Sequence, residues 1–368
     1  MANLPLANIF NRKTRTTVGI LAVALGVALV LVLVGLAHGS LDETAERIKN
    51  VGADIIFQAP GSSPFLALNS GVVDVRYSAR LLDVPGIIAA APVLTGRLMK
   101  LKGRQKLVMI FGVDEKTYNE VGTGIEIVEG RGLQEPGDLV VDTVLASADD
   151  IKIGDTLPIM NRDFTVVGIC KAGAGVRIFM GITDMQTATA QPGKASLFFL
   201  KVSDESTVAA AAAALEERFE GYQVTALESF SEAMKENALG LNEFVSALSI
   251  FAALISYLVI LLAMYTTIIE RTREIGILKA LGASKTYIIK LVMVESFLIC
   301  IMGVGAGFLF SVLGRSAILI FFPTLSVDLI PRWFLMSAIL GISGGLLGAI
   351  YPAYRAAKLD PVEALNFE

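Results

Sequence analysis

The sequence predicts an α-helical membrane protein with four transmembrane helices plus a large α+β extracytoplasmic domain inserted between the first and second. Three observations carry this reading. Of 368 residues, 54% are hydrophobic and only 18% charged, with a mean hydropathy of +0.64, whereas soluble domains run to about 45–50% apolar and about 25% charged. Four apolar stretches are close to or above the roughly 20 residues that cross a hydrocarbon core as a helix. About 200 mostly polar residues separate the first stretch from the second.

The first stretch, Val18 to Ala37, carries no charge. It is too long for the apolar run of a cleaved signal peptide, which spans about 7–15 residues, so it reads as a retained anchor. Phe244 to Ile269 is the second stretch. Ile288 to Leu313 is the third, with Lys290 and Glu295 near its start, and Trp333 to Ile350 is the fourth. The expected organisation is therefore a leading amphipathic helix at 1–17, spans at 18–39, 241–269, 288–313 and 333–351, the large domain at 40–240, a connecting segment at 270–287, an outer loop at 314–332 and a tail at 352–368.

Orientation follows from the basic residues. Arg12, Lys13 and Arg15 precede the first span, Arg271, Arg273, Lys279, Lys285 and Lys290 lie between the second and third, and Arg355 and Lys358 follow the fourth. The short loop between spans three and four holds only Arg315 and Arg332. The excess of Lys and Arg marks the cytoplasmic side, which places both termini inside the inner (plasma) membrane and the large domain outside. That domain, Ser40 to Gly240, is acidic, with 19 Lys and Arg against 27 Asp and Glu.

Within it, turn signals such as Pro136-Gly137-Asp138 and Gly154-Asp155 separate short β-rich runs. Strands are expected at Ala53–Gln58, Ile87–Pro92, Leu107–Val113, Val140–Val141, Thr156–Met160, Phe164–Ile169, Leu197–Val202 and Tyr222–Ala226. A short helix is expected at Ser78–Asp83 and an alanine-rich one at Ser206–Phe219. The closing β-α-β run implies a return to an earlier sheet. The middle, about 124–194, reads as a separate lobe inserted into the first, and Leu227 to Leu241 as a helix leading into span two.

Composition excludes several functions. A pI of 5.3 gives no basic field for nucleic acid. One histidine, His38, and two cysteines, Cys170 and Cys300, lack the ligands of the usual zinc site and form no disulfide framework. The nearest approach to a phosphate-binding loop, Gly282-Ala283-Ser284-Lys285-Thr286, has serine where glycine precedes the lysine. No catalytic residue, cofactor site or metal site is expected; ATP and Mg, if used, belong to another chain.

The most informative segment follows span two. Glu270 to Ala280 is amphipathic, with Ile275, Leu278 and Leu281 on one side and Arg271, Arg273, Glu274 and Lys279 supplying charge. Gly282-Ala283-Ser284 breaks the helix and Ser284 can cap the next one. Periodicity alone leaves two readings open, a docking element for a soluble partner and an interfacial anchor that meets only headgroups.

Here the residues resemble a known family. Glu-Arg-Thr-Arg-Glu-Ile-Gly-Ile-Leu-Lys-Ala-Leu-Gly-Ala-Ser at 270–284 is similar to the signature of MacB-like (FtsX-type) permeases of ABC transporters, as is Tyr-Pro-Ala-Tyr-Arg-Ala-Ala-Lys-Leu-Asp-Pro-Val-Glu-Ala-Leu at 351–365. Ala7 to Thr16 fits the family's leading amphipathic helix. The resemblance implies a mechanotransmitting subunit that binds an ABC ATPase through Glu270, Arg271, Arg273, Glu274, Gly276, Lys279, Gly282 and Ala283. It implies a second permease copy in a homodimer, membrane lipids around the spans, and room for a periplasmic adaptor protein. The tasks it implies are export of an amphipathic or lipid-like substrate, activation of an extracytoplasmic enzyme such as a peptidoglycan hydrolase, or lipoprotein release.

Other residues have plainer readings. Gly303, Gly307, Gly341, Gly344, Gly345 and Gly348 form small-residue spacings that let helices approach closely. Glu295, ionisable within a span and one turn plus a residue past Lys290, reads either as a proton or substrate relay or as a group for local pairing or partner docking. His38, where span one ends on the outside, reads either as a haem ligand or pH switch or as an amphipathic cap; Cys170 reads as a small core residue, and Ala59 to Leu66 as a loop that either touches an adaptor or lipid or buries its phenylalanine.

Overall fold

The computed structural model describes residues 13–62, 71–102, 104–230 and 241–360. Most of the leading helix expected over Ala7 to Thr16, the loop tip at 63–66, most of the helix expected over Leu227 to Leu241, and the last residues of the 351–365 motif lie outside them. The chain divides into two compact units, one of residues 1–39, 240–321 and 325–368, the other of residues 40–239 and 322–324.

The first unit is helical. It contains α1 (Lys13–Lys49) up to Gly39, then α7 (Leu241–Glu270), the short α8 (Thr272–Ala280), α9 (Lys285–Phe321) and α10 (Pro331–Lys358). Four of these helices are long and apolar enough to cross a membrane. Helices α9 and α10 run beyond the expected 288–313 and 333–351, α9 to Phe321, two residues before Pro323, and α10 through Pro352 to Lys358.

Small residues set how these helices pack. A methyl group on Gly303 would lie 2.6 Å from the Val23 side chain, and one on Gly307 2.8 Å from Val27, so α9 presses its glycine face on α1. On α10, Gly344 and Gly348 face the backbone of Ala253 and Tyr257 on α7, Gly341 meets Val27, and Gly345 meets Cys300 on α9. All six glycines therefore face helices of the same chain. Such close backbone approach supplies dispersion contacts that hold packed helices together.

The second unit is α+β. Its main sheet has ten strands, in the order β12-β1-β11-β3-β4-β9-β6-β8-β5 with β7 on β8. The strands are β1 (Ile55–Gln58), β3 (Ile87–Leu101), β4 (Arg104–Val113), β5 (Ile127–Gly130), β6 (Asp138–Asp142), β7 (Thr156–Ile159), β8 (Arg162–Cys170), β9 (Ile178–Gly181), β11 (Leu197–Val202) and β12 (Gln223–Ala226). A two-stranded ribbon pairs β2 (Val73–Asp74) with β10 (Lys194–Ala195). Short helices α2 (Tyr77–Leu82), α3 (Glu115–Glu120), α4 (Thr143–Ala148), α5 (Ile182–Ala188) and the longer α6 (Val208–Arg218) complete it.

The return to an earlier sheet is observed: β11 and β12 flank β1 on either side, both antiparallel. The strands of the middle segment join the main sheet: β9 pairs in parallel with β4 and leads on into β6, β8 and β5.

Both faces of the sheet are covered, which is why its central strands are apolar throughout rather than alternating. Ile55 and Phe57 pack with Phe198, Leu81 and Leu215 beneath α2 and α6. Ile56, one residue out of phase, joins Phe111, Phe179 and Phe199 with Ala45 and Ile48 from the end of α1. Full burial of such side chains contributes about 1.5–3 kcal/mol each. A third core, of Leu139, Val141, Val166, Ile178 and Met180, lies around β6, β8 and β9 under α4 and α5.

Candidate coupling site

The segment between α7 and α9 is built by its end signals. Gly282 takes φ +96°, a left-handed value open to glycine. The Gly282 amide donates to the Lys279 carbonyl and the Ala283 amide to the Leu278 carbonyl, both at 3.0 Å. This paired pattern closes the C-terminus of α8. Two residues on, the Ser284 hydroxyl accepts from the Tyr287 amide at 3.2 Å and caps α9. The Gly-Ala-Ser-Lys-Thr run is thereby used up as a helix stop and a helix start.

Two polar ties fix α8. Arg271, only 7% exposed, turns inward: its Nε donates to Glu274 Oε2 at 2.7 Å and its Nη1 to Glu295 Oε2 at 3.2 Å. Glu295 is itself 8% exposed. Lys279 Nζ donates to the carbonyls of Ala357, at 3.0 Å, and Leu359. An ammonium at the end of α10 satisfies carbonyls that lack helical partners and complements the negative helix terminus.

These ties sort the predicted coupling residues by face. Thr272, Ile275 and Gly276 are buried with Arg271, whereas Arg273, Glu274, Ile277 and Leu281 are exposed. Glu270 ends α7 on the exposed side, Gly282 is exposed and Ala283 half-buried. Two expectations are corrected. Leu281 does not share the face of Ile275 but is 80% exposed; six residues on, it is about 240° around the helix. Glu295 pairs not with Lys290, which is exposed, but with Arg271, 24 positions earlier.

The second unit holds a charged cluster that the sequence did not reveal. Asp142, fully buried, accepts from Arg47 Nη1 and Arg177 Nη1, both at 3.1 Å, and its other oxygen caps α4 through the Leu145 amide at 2.7 Å. Arg177 Nη2 reaches Glu43 Oε1 at 2.5 Å. The cluster ties the last turns of α1 to β6 and to the segment before β9. No spacing signal announces it, because its members come from residues 43, 47, 142 and 177.

His38 Nδ1 is 3.1 Å from the Val34 carbonyl oxygen, and its ring centroid 5.0 Å from that of Trp333. Cys170 and Cys300 are buried and unpaired. Burial, then the charge of Asp142, pushes the Cys170 thiol up to about 12. Among the described residues no group of three His, Cys, Asp or Glu is placed to hold a metal ion.

The chain thus combines a pinned connecting helix, four long apolar helices and a large α+β unit that lies in sequence between the first and second of these. The model of the MacB-like periplasmic core domain matches residues 16–218, and that of the FtsX-like permease C-terminal region matches residues 246–361. The chain belongs to the MacB-like family of ABC transporter permeases.

A macrolide export ATP-binding/permease protein MacB of Psychrobacter cryohalolentis is 23% identical over 390 residues, covering 96% of this chain. This chain spans only 57% of that relative's length. An ABC transporter permease of Methanocaldococcus jannaschii is 24% identical over 384 residues, covering 98% of this chain and 96% of its own. Among solved structures, the periplasmic region of MacB from Actinobacillus actinomycetemcomitans aligns with TM-score 0.40 and 16% identity, over 50% of this chain and 94% of that one.

Proposed function

We propose that this chain is the transmembrane subunit of a MacB-like transporter that carries ATP-driven motion from a separate ATPase to its α+β domain, in the export of an amphipathic or lipid-like substrate. On this reading the ten basic residues flanking the spans put α8 on the cytoplasmic side of the inner membrane and the α+β unit outside. ATP and Mg belong to the partner chain, and a second permease copy supplies a second docking face.

The observation that carries the reading is the division of α8 into a fixed back and a free front. Its back is held to α9 by Arg271–Glu295 and to the end of α10 by Lys279. Its front presents Arg273, Ile277 and Leu281. A soluble partner grasping that front would push on two apolar helices at once, whereas an interfacial anchor would need no such ties.

The test is a mild-detergent pull-down of the tagged chain with mass spectrometry of what accompanies it. A soluble ABC ATPase should be recovered, and the double variant Arg273→Glu, Leu281→Asp should reduce its recovery roughly thirtyfold, as expected for loss of an exposed anchor worth about 2 kcal/mol. The variant's unfolding temperature should not change. Undiminished recovery with the double variant, or no ATPase with the unaltered chain, sinks the reading.

A further inference from the structure

The α+β unit contains a cleft of about 460 Å³ beside the last residues of α1, within the range of small-molecule sites. Its apolar lining includes Ile125, Cys170 and Phe179, exposed by 8%, 2% and 2%. Two cations stand among the lining residues: Lys49, the last residue of α1, and Lys171, which follows β8. The run Lys171-Ala172-Gly173-Ala174, followed by Gly175, forms one wall.

That loop is held open in an unusual way. Asn50 Nδ2 donates to the Gly173 carbonyl at 2.8 Å, and the Gly175 amide donates to the Arg47 carbonyl at 2.6 Å. Gly173 and Gly175 take φ +110° and +62°. Among the described residues, the amides of Ala172, Gly173 and Ala174 donate to nothing within the chain. Lys49 forms no ion pair among those residues, while Lys171 pairs with Glu126 at 2.9 Å. Unpartnered successive amides in a glycine turn, with ammonium groups alongside, suit an oxyanion. The apolar lining suits a hydrocarbon or aromatic body. This positive corner stands out in a domain whose acidic residues outnumber its basic ones by 27 to 19.

We propose that the cleft binds a small amphiphile with an oxyanion head, a carboxylate or a phosphate monoester, with Lys49, Lys171 and the 172–174 amides taking the head and Ile125 and Phe179 the apolar body. Glu126 then competes with the ligand for Lys171. The site goes beyond the transport reading and does not depend on whether an ATPase docks on α8.

The experiment is calorimetric titration of the full chain in lipid nanodiscs, with empty nanodiscs subtracted. The probes are 4-phenylbutyrate, phenyl phosphate, inorganic phosphate and the neutral 4-phenylbutanol. Saturable binding is expected for the first two. Inorganic phosphate should bind at least about tenfold more weakly and the alcohol not at all, a charge-assisted contact being worth roughly that factor. The double variant Lys49→Gln, Lys171→Gln should weaken binding about tenfold. Glu126→Gln should tighten it, which a purely structural glutamate would not do, and Lys116→Gln, outside the cleft, should leave it unchanged. No saturable binding of either anionic probe up to millimolar concentration overturns the proposal. So does equal binding of inorganic phosphate or of the alcohol, or indifference to the lysine variants.

Discussion

Arg271 and Glu295, 24 residues apart, form a buried ion pair with Nη1 3.2 Å from Oε2, each side chain about one-tenth exposed. The pair belongs to the packing of α8 on α9 and is turned away from the exposed face. Reversing Arg271 alone would place two carboxylates together and leave Glu295 without its cation. Breaking a buried pair by removing one partner costs about 3–5 kcal/mol, whereas replacing both with apolar or neutral groups is often tolerated. Arg271→Glu and Glu295→Arg should therefore each lower the unfolding temperature of the detergent-solubilised chain sharply. The double exchange, or Arg271→Gln with Glu295→Gln, should recover most of the loss. A loss in the double variants equal to the sum of the single losses would show that the two side chains act separately.

The glycines of α9 and α10 make a graded prediction. A methyl group added at Gly345 would lie 2.3 Å from Cys300 Sγ, while one at Gly305 would meet nothing within 4 Å. Gly345→Ala should destabilise by about 1–3 kcal/mol, as overpacking does. Gly305→Ala should be neutral or stabilising, since alanine is the better helix former by up to about 1 kcal/mol. Because the obstruction is a single sulfur atom, Cys300→Ala should rescue Gly345→Ala beyond additivity. Chemical denaturation of the four variants in one detergent measures the cycle.

How much of this was legible in the sequence follows from which interactions are local. The four long helices were plain, because a continuous apolar run is a local property. So were the stop at Gly282 and the cap at Ser284. Strands β5 and β9 were missed: β5 is largely exposed and has no alternation, and β9 has four residues whose burial comes from its neighbours. β3 runs on past Pro92 to Leu101 because it pairs with β4, a partner that periodicity within 93–101 does not reveal. The pairing of Glu295 with Lys290 was open to challenge even from sequence, since five residues put two side chains about 140° apart on a helix. Its true partner depends on where α8 folds back, and no spacing rule reports that.

Cys170 offers a prediction in pH. Its thiol is raised from an ordinary value near 9 to about 12 by burial and by Asp142. The folded protein therefore keeps this proton through a range in which the unfolded chain loses it. With fewer protons bound in the unfolded state, stability falls as pH rises between about 9 and 12. Below pH 9 the thiol should resist iodoacetamide in the folded chain and react only after denaturation. Cys170→Ala should flatten the alkaline fall in stability by the share this thiol contributes. Rapid alkylation of Cys170 in the native chain at pH 8 would contradict the assigned burial.

Asp142 is the strongest single point of failure in the α+β unit. It accepts from Arg47 and Arg177 and caps α4, and it has no exposed surface. Asp142→Ala would strip the counter-charge from two largely buried guanidinium groups and remove a helix cap, for a cost of about 3–5 kcal/mol from the ion pairs and about 1 kcal/mol from the cap. Asp142→Asn keeps one acceptor oxygen, able to serve either the two arginines or the Leu145 amide but not both, so it should lie between alanine and the native residue. Because Arg47 stands in the last turns of α1 while Asp142 ends β6, the loss should appear in hydrogen exchange first as faster exchange of residues 43–50 and 139–148. The strands around β1, which share no polar contact with this cluster, should retain their protection. Uniform loss of protection across the sheet would mean that Asp142 supports the whole unit and that the tie between α1 and β6 has no separate stability.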